Sequence, residues 1–242
     1  MIDGMTPRIR AQRDQPILFA HRGASADAPE NTLEAFGLAL EMGADGLESD
    51  VWVSADGEPI LVHDEQFGRR TRRRKIGDVA RADLPPHMPT ITDLFDSVGR
   101  DFELSLDIKD PIAVEPALDA LRRFDMIDRT WLCHPDVDLL ARWRSRWSDL
   151  RLVHSTRLAR LPHSPERHAA TLYQHAIDAV NLRQSDWSGG LTALYHRFDR
   201  YCFGWDAQLE RTATELLDMG IDAIYGNHVD RLTAARTHIY SH

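Results

Sequence analysis

Ala20-His21-Arg22-Gly23, Pro29-Glu30-Asn31-Thr32, Glu48-Ser49-Asp50 and His63-Asp64 follow one another in the stretch from His21 to Asp64. Two imidazoles, an arginine and two carboxylates spaced two residues apart are a high density of convergent chemistry for so short a segment. Its scaffold reads as strand, loop, helix, strand. Ile17 to Ala20 is an apolar run ending at His21, as expected of a buried strand whose carboxyl end presents the histidine. Asn31 is placed to cap a helix with Glu34 at the capping-box position, Leu33, Phe36 and Leu40 recur at helical spacing, and Gly43 supplies a stop. In the segment from Gly46 to Val53, alternation along a strand puts Leu47 and Val51 on one face and Glu48 and Asp50 on the other.

Beyond this stretch, Ser54-Ala55-Asp56-Gly57 is a turn and Pro59 to His63 an extended return. A basic run from Phe67 to Lys75, rich in arginine from Arg69 to Arg74, reads as a solvated loop. Because it follows His63-Asp64 directly, an approach of one or two of its arginines to an anionic substrate is a second reading. Strand-like runs then alternate with amphipathic helical segments. The strands that each precede a helix begin near Ile17, Leu47, Phe102, Thr130, Leu150, Ala179, Arg200 and Ala223. The count predicts a (β/α)8 TIM barrel, a single α/β domain over residues 16–242 with a short insertion after the second strand and a loose arm over residues 1–15.

Such a barrel makes a geometric demand, that residues doing chemistry lie at the carboxyl ends of strands. His21, Glu48, Asp50, Asp107, Lys109 and Trp205 all fall at or near such ends. The 242 residues carry 29 basic and 38 acidic side chains, a net charge of -9, which argues against nucleic acid as the partner. The two cysteines, Cys133 and Cys202, have no spacing of a disulfide framework or thiolate metal site. No apolar run is long enough to cross a bilayer and the first residues lack a signal-peptide core, so a cytoplasmic location is expected.

Glu48 and Asp50 at one mouth would repel one another unless a cation or a proton sat between them, Asp107 can supply a third carboxylate from another strand, and an all-oxygen set suits Mg²⁺ or Ca²⁺ rather than zinc. Cleaving a phosphodiester calls for neutralisation of its nonbridging oxygens, a base for the attacking hydroxyl and an acid for the leaving alkoxide. Arg22 and Lys109 can help with the first, and His21 and His63, ionising near neutral pH, with the others. The remaining histidines, His134 and His154 among them, are read as structural or surface residues.

With its motifs in hand, the sequence resembles the glycerophosphodiester phosphodiesterase family over roughly residues 17 to 232. The family's H-R-G, E-N-T, E-x-D and H-D are matched by His21-Arg22-Gly23, Glu30-Asn31-Thr32, Glu48-Ser49-Asp50 and His63-Asp64. Its acid-x-lysine pair is matched by Asp107-Ile108-Lys109 and its late strand tryptophan by Trp205. The resemblance implies a TIM barrel, a divalent cation held by Glu48, Asp50 and Asp107, acid-base work by His21 and His63, and a phosphate held by Arg22 and Lys109. It implies a supporting role for Glu30 at the metal site and an alcohol pocket lined by Trp205, for which barrel filling is the alternative. Glu30 and Asn31 also read as helix-capping residues, and Asp64 as a group that orients His63 or the turn.

Departures from the family concentrate around the alcohol. Asp107 stands where many members have Glu, Trp205-Asp206 where many have Trp-Thr, Tyr225-Gly226-Asn227-His228-Val229-Asp230 where many have a late Thr-Asp-x-Pro, and Cys133-His134 replaces Ser-Phe. The implied reaction is metal-dependent hydrolysis of a small-molecule glycerophosphodiester to glycerol phosphate and an alcohol. Phospholipase D-like cleavage of a lysophospholipid or sphingomyelin, and a non-catalytic phosphodiester-binding barrel, are the competing readings.

Overall fold

The alternation that separates Glu48 and Asp50 from Leu47 and Val51 is the rule that builds the whole molecule. The computed structural model describes residues 9–69 and 71–240. In chain order β1 (Ile17–His21), α1 (Leu33–Glu41), β2 (Gly46–Val53) and β3 (Pro59–Leu61) come first, then the short β4 (Gln66–Phe67) and β5 (Arg74–Lys75), α2 (Ile91–Val98) and β6 (Glu103–Ile108). Regular alternation follows: α3 (Val114–Arg123), β7 (Thr130–His134), α4 (Val137–Arg146), β8 (Arg151–Ser155), α5 (Pro165–Gln174) and β9 (Ala179–Arg183). α6 (Gly189–His196), β10 (Tyr201–Trp205), α7 (Glu210–Asp218), β11 (Ala223–Gly226) and α8 (Val229–Tyr240) complete it.

The sheet order β1-β11-β10-β9-β8-β7-β6-β2, with β1 also pairing β2, closes the parallel strands into a ring, while β3 hangs antiparallel from β2. The result is the expected (β/α)8 barrel, and each strand named from the sequence is present. Odd-parity side chains such as Ile17, Phe19, Trp131, Val153, Phe203 and Tyr225 fill the interior. Phe19 stacks on Tyr225 at 4.8 Å between ring centroids, and Trp131 meets Phe203 edge-on at 4.9 Å. Their even-parity neighbours Leu18, Leu104, Leu152 and Val180, with Leu47 on β2 where the parity is reversed, face outward and bury the apolar stripes of the helices, including Phe36, Leu118, Leu172 and Leu216. Gly46 has no room for a side chain, because an added Cβ would stand 2.6 Å from the Phe19 ring and 2.7 Å from the Glu103 carbonyl oxygen. The barrel interior below the mouth is thus solid, and the chemistry is confined to its upper rim.

Three expectations are modified locally. Thr32, not Asn31, caps α1, its side chain accepting from the Ala35 amide at 3.2 Å, so the residue three beyond the cap is Ala35 and Glu34 makes no capping box. Asn31 is instead buried in a left-handed conformation (φ 56°), and its Oδ1 accepts from the Ser49 hydroxyl at 2.6 Å. A side chain spent on tying the loop to the outer face of β2 is not free to cap.

The basic run after β3 is a small ribbon, with Gln66 paired to Lys75 and Phe67 to Arg74, over an apolar cluster of Ile60, Ile76, Val79, Leu84 and Met88. Arg70 lies outside the described residues. Residues 1–8 of the expected loose arm also lie outside them, whereas the Gln12 and Arg13 amides donate to Asp222 Oδ1 at 2.7 and 3.1 Å, which fastens that part of the arm beneath the barrel. No helix among the described residues is long and apolar enough to cross a membrane.

Candidate active site

Parity decides which side chains meet at the mouth. His21, Glu48, Asp50, Ser105, Asp107, Cys133, Ser155, Asn181, Trp205 and Tyr225 are all inward residues near strand ends, and with Arg22, His63 and Lys109 they line one cavity of ≈ 340 Å³. His21 and Glu48 stand in register on β1 and β2, and Asp50 and Asp107 on β2 and β6.

Arg22 turns the chain out of β1 in a left-handed conformation (φ 59°), which points its amide at Glu48, at 3.0 Å from both the carbonyl oxygen and Oε2. Its guanidinium spans two acids, Nη1 lying 3.0 Å from Glu30 Oε2 and Nε 3.4 Å from Asp50 Oδ2. Lys109 Nζ sits between Asp50 Oδ1 at 2.8 Å and Asp107 Oδ2 at 2.5 Å. Burial works against the ammonium, but these two carboxylates outweigh it and hold its pKa above the ordinary lysine value.

Glu48 behaves oppositely. Burial, with the negative charges of Asp50 and Asp107 beside it, pushes its pKa well above the usual carboxylate range. Asp50 Oδ2 is buried and accepts no hydrogen bond. A set of three carboxylates facing two cations, with one oxygen that accepts no hydrogen bond, is chemically suited to a divalent cation. Glu48, Asp50 and Asp107 do not lie as a set within 4.8 Å of one another. The His196, Cys202 and Asp222 atoms that do are at the far end of the barrel, where both Asp222 oxygens already accept from His196 and from backbone amides.

The imidazoles are held differently. His21 Nδ1 is 2.9 Å from Asn227 Oδ1, which also accepts from Gln208 Nε2 at 3.0 Å. An amide oxygen can only accept, so Nδ1 carries the proton and the Nε2 lone pair faces the cavity, 3.8 Å from Glu48 Oε2. Burial, aided by the Arg22 charge, lowers the His21 pKa and keeps that ring neutral. His63, more exposed, pairs through Nδ1 with Asp64 Oδ1 at 2.8 Å, and its carbonyl accepts from Trp52 Nε1 at 3.1 Å.

Ser105 forms the floor, its hydroxyl 3.1 Å from the Tyr225 hydroxyl and 3.4 Å from Cys133 Sγ. Trp205 closes one side beneath the guanidiniums of Arg157 and Arg183, 5.5 and 5.9 Å from its ring centroid. Those arginines are themselves paired with Asp186 and Asp206. Glu30, Asn31 and Asp64 are not part of the cavity wall; the first and last touch residues that are, and Asn31 braces the loop. None of the arginines described between Arg69 and Arg74 lines the cavity. Sequence reading singles out none of Ser105, Ser155 and Asn181, names Tyr225 and Asn227 only within the departure at the end of the last strand, and gives no role to Gln208. The signal was inward parity carried to the next strands, together with the departure Gly226-Asn227.

An eight-stranded barrel with carboxylates, two histidines and two cations at the strand carboxyl ends defines a class of TIM-barrel site built for an anionic substrate. The chain belongs to the glycerophosphoryl diester phosphodiesterase family, whose model matches residues 21–231. A glycerophosphodiester phosphodiesterase of Caldanaerobacter subterraneus is 32% identical over 119 residues, 43% of this chain and 49% of that one, so the chain spans about half the length of that relative. Among solved structures, a glycerophosphoryl diester phosphodiesterase from Silicibacter pomeroyi superposes with a TM-score of 0.83 at 21% identity, over 95% of this chain and 96% of the other. An Oleispira antarctica phosphodiesterase in complex with the product sn-glycerol-3-phosphate gives 0.79 at 20% identity, over 91% and 96%. At such identities the likeness of the solved structures is one of fold.

Proposed function

We propose that this protein hydrolyses glycerophosphodiesters to glycerol phosphate and an alcohol with the help of a divalent cation, Mg²⁺ or Ca²⁺. The observation that carries the reading is the convergence of His21 and His63 with Glu48, Asp50 and Asp107 around one small cavity. Membership of the family and the product found in the Oleispira enzyme support it. Glu48, Asp50 and Asp107 would hold the cation, which supplies positive charge against the phosphoryl oxygens when bound.

Arg22 and Lys109 bind and orient the phosphate, at the cost of loosening their present pairs with Asp50, Asp107 and Glu30. His21 Nε2 is the atom free to take a proton, since Nδ1–H is committed to Asn227. His63, fixed through Nδ1 by Asp64, offers Nε2 from the other side as the acid for the departing alkoxide. Trp205 covers the alcohol. A cavity of ≈ 340 Å³ fits a short alcohol better than a long acyl chain, which sets a lysophospholipid substrate behind a glycerophosphodiester.

The test is cleavage of glycerophosphocholine, glycerophosphoethanolamine, a lysophospholipid and a chromogenic phosphodiester by chelated protein with Mg²⁺ or Ca²⁺ restored. Cation-dependent release of glycerol phosphate that is lost in His21→Ala and Glu48→Ala is expected. Turnover indifferent to chelation and to both substitutions sinks the mechanism; binding of the diesters without turnover supports a non-catalytic barrel instead.

A further inference from the structure

Ser155 and Asn181 stand side by side in register at the ends of β8 and β9, and Asn181 lies directly opposite β2 in the ring of strands. Both face the cavity, so they form the wall opposite the carboxylates. Neither carries charge, and no step of the reaction proposed above uses them. Asn181 is 6% exposed, its Nδ2 donates to Ser155 Oγ at 3.3 Å, and its Oδ1 is buried with no hydrogen-bond partner. Turning the amide over would only exchange the roles, with Oδ1 accepting from the serine and a buried N–H left over, so in either orientation one end of the amide lacks a partner. An unpaired buried amide is destabilising, and an apolar residue of the same volume would pack against Val153 and Phe203 without that cost.

The missing partner has a definable chemistry. It is small and neutral, since the charges that follow on this side, Arg157 and Arg183, are already paired with Asp186 and Asp206, and it both donates and accepts, since the serine hydroxyl and the amide end require both. A hydroxyl satisfies that description, and two adjacent hydroxyls would satisfy Asn181 and Ser155 together. We propose that Ser155 and Asn181 form a hydroxyl-binding subsite that holds the glycerol end of the diester while Arg22 and Lys109 hold its phosphate across the mouth. The proposal rests on the glycerophosphodiester reading of the site and adds to it what distinguishes glycerol from a plain alkyl group. The discrimination is of the stronger kind, because an analogue lacking the hydroxyls leaves the amide as it is now, buried and unpaired.

Titration calorimetry of the whole protein with Mg²⁺ present tests it, with glycerol 3-phosphate and propyl phosphate as matched ligands that differ in the two hydroxyls. The wild-type protein is expected to bind glycerol phosphate about tenfold more tightly, the worth of one or two net hydrogen bonds. In Asn181→Leu, close in volume, and separately in Ser155→Ala, the ratio falls toward one while propyl phosphate affinity changes less than about twofold. No preference in the wild type, or a preference that survives both substitutions, overturns the subsite. Calorimetry needs no turnover, so the two readings fail separately. Diester cleavage without a hydroxyl preference refutes only the subsite; a preference lost in both variants without any cleavage supports the subsite and refutes hydrolysis.

Discussion

Lowering the pH from 7 to 5 should weaken the fold through two histidines buried between the outer face of β8 and α5, outside the cavity. His154 Nε2 donates to the Pro135 carbonyl at 3.0 Å, which leaves its Nδ1 to accept from His168 Nε2 at 2.9 Å, and His168 Nδ1 then accepts from the Tyr195 hydroxyl at 2.7 Å. Each ring needs one bare nitrogen, so neither can take a proton without losing a bond. Burial lowers His154 to about 4, and burial together with His154 lowers His168 to about 3. Both rings are only 4% exposed.

With the folded values depressed, the unfolded chain binds more protons below its own pKa near 6.5. The stability these neutral rings carry is therefore full above that pH and lost as pH falls through it toward 4. At pH 5 the loss is about 2 kcal/mol for each ring, about 4 kcal/mol together, against a typical total of 5–15 kcal/mol. Urea unfolding at half-unit steps from pH 7 to 5 reads it as a falling midpoint. His168→Gln removes one titrating ring, so its stability should fall with a slope shallower by about 1.2 kcal/mol per pH unit between pH 6 and 5. Equal slopes in the two proteins would refute the reasoning, whatever their absolute stabilities.

Three other perturbations follow from the geometry. Lys109→Met removes the ammonium between Asp50 and Asp107; in chelated protein it should cost about 3 kcal/mol, and added Mg²⁺ should raise the melting temperature more in the variant than in the wild type. Asp222→Asn places an N–H₂ against donors that now share two carboxylate oxygens, those of Gln12, Arg13, His196 and Cys202. The expected loss is about 3 kcal/mol, with faster hydrogen exchange at the Gln12 and Arg13 amides. Gly226→Ala sets a Cβ 2.4 Å from the Ala207 carbonyl oxygen, whereas one at Gly57 (φ 89°) meets nothing within 4 Å. The first should lower the urea midpoint by the equivalent of about 1–3 kcal/mol; the second pays only for left-handed backbone, about 1 kcal/mol.

The sequence was most readable where one rule acted alone. Inward and outward parity along β2 placed Glu48 and Asp50 correctly because a strand has only two faces. The same rule ran through β6 and β10 to Asp107, Lys109 and Trp205. It was harder to read where two uses competed for one residue: Asn31 and Thr32 are both good caps, and the buried Ser49, invisible as a partner from sequence, drew Asn31 away. Asn181 and Ser155 went unnoticed because a polar residue in a short apolar strand is ordinary until the opposite wall is known. The basic run was read by its charge, yet Phe67 and Ile76 decide its form by docking on the apolar cluster under the ribbon.

The bond between His21 and Asn227 joins residues 206 positions apart, across the seam where β1 meets the last strand. A chain leaving the ribosome has therefore made most of its barrel before the first histidine acquires the partner that fixes its tautomer. Until β11 docks, β1 presents an open edge, and ring closure, a pairing of the two ends of the chain, is the step that fixes the His21 tautomer. Folding intermediates short of closure should be sticky, and a nascent chain stalled before Asn227 should hold native-like helices with the His21 ring still free to turn.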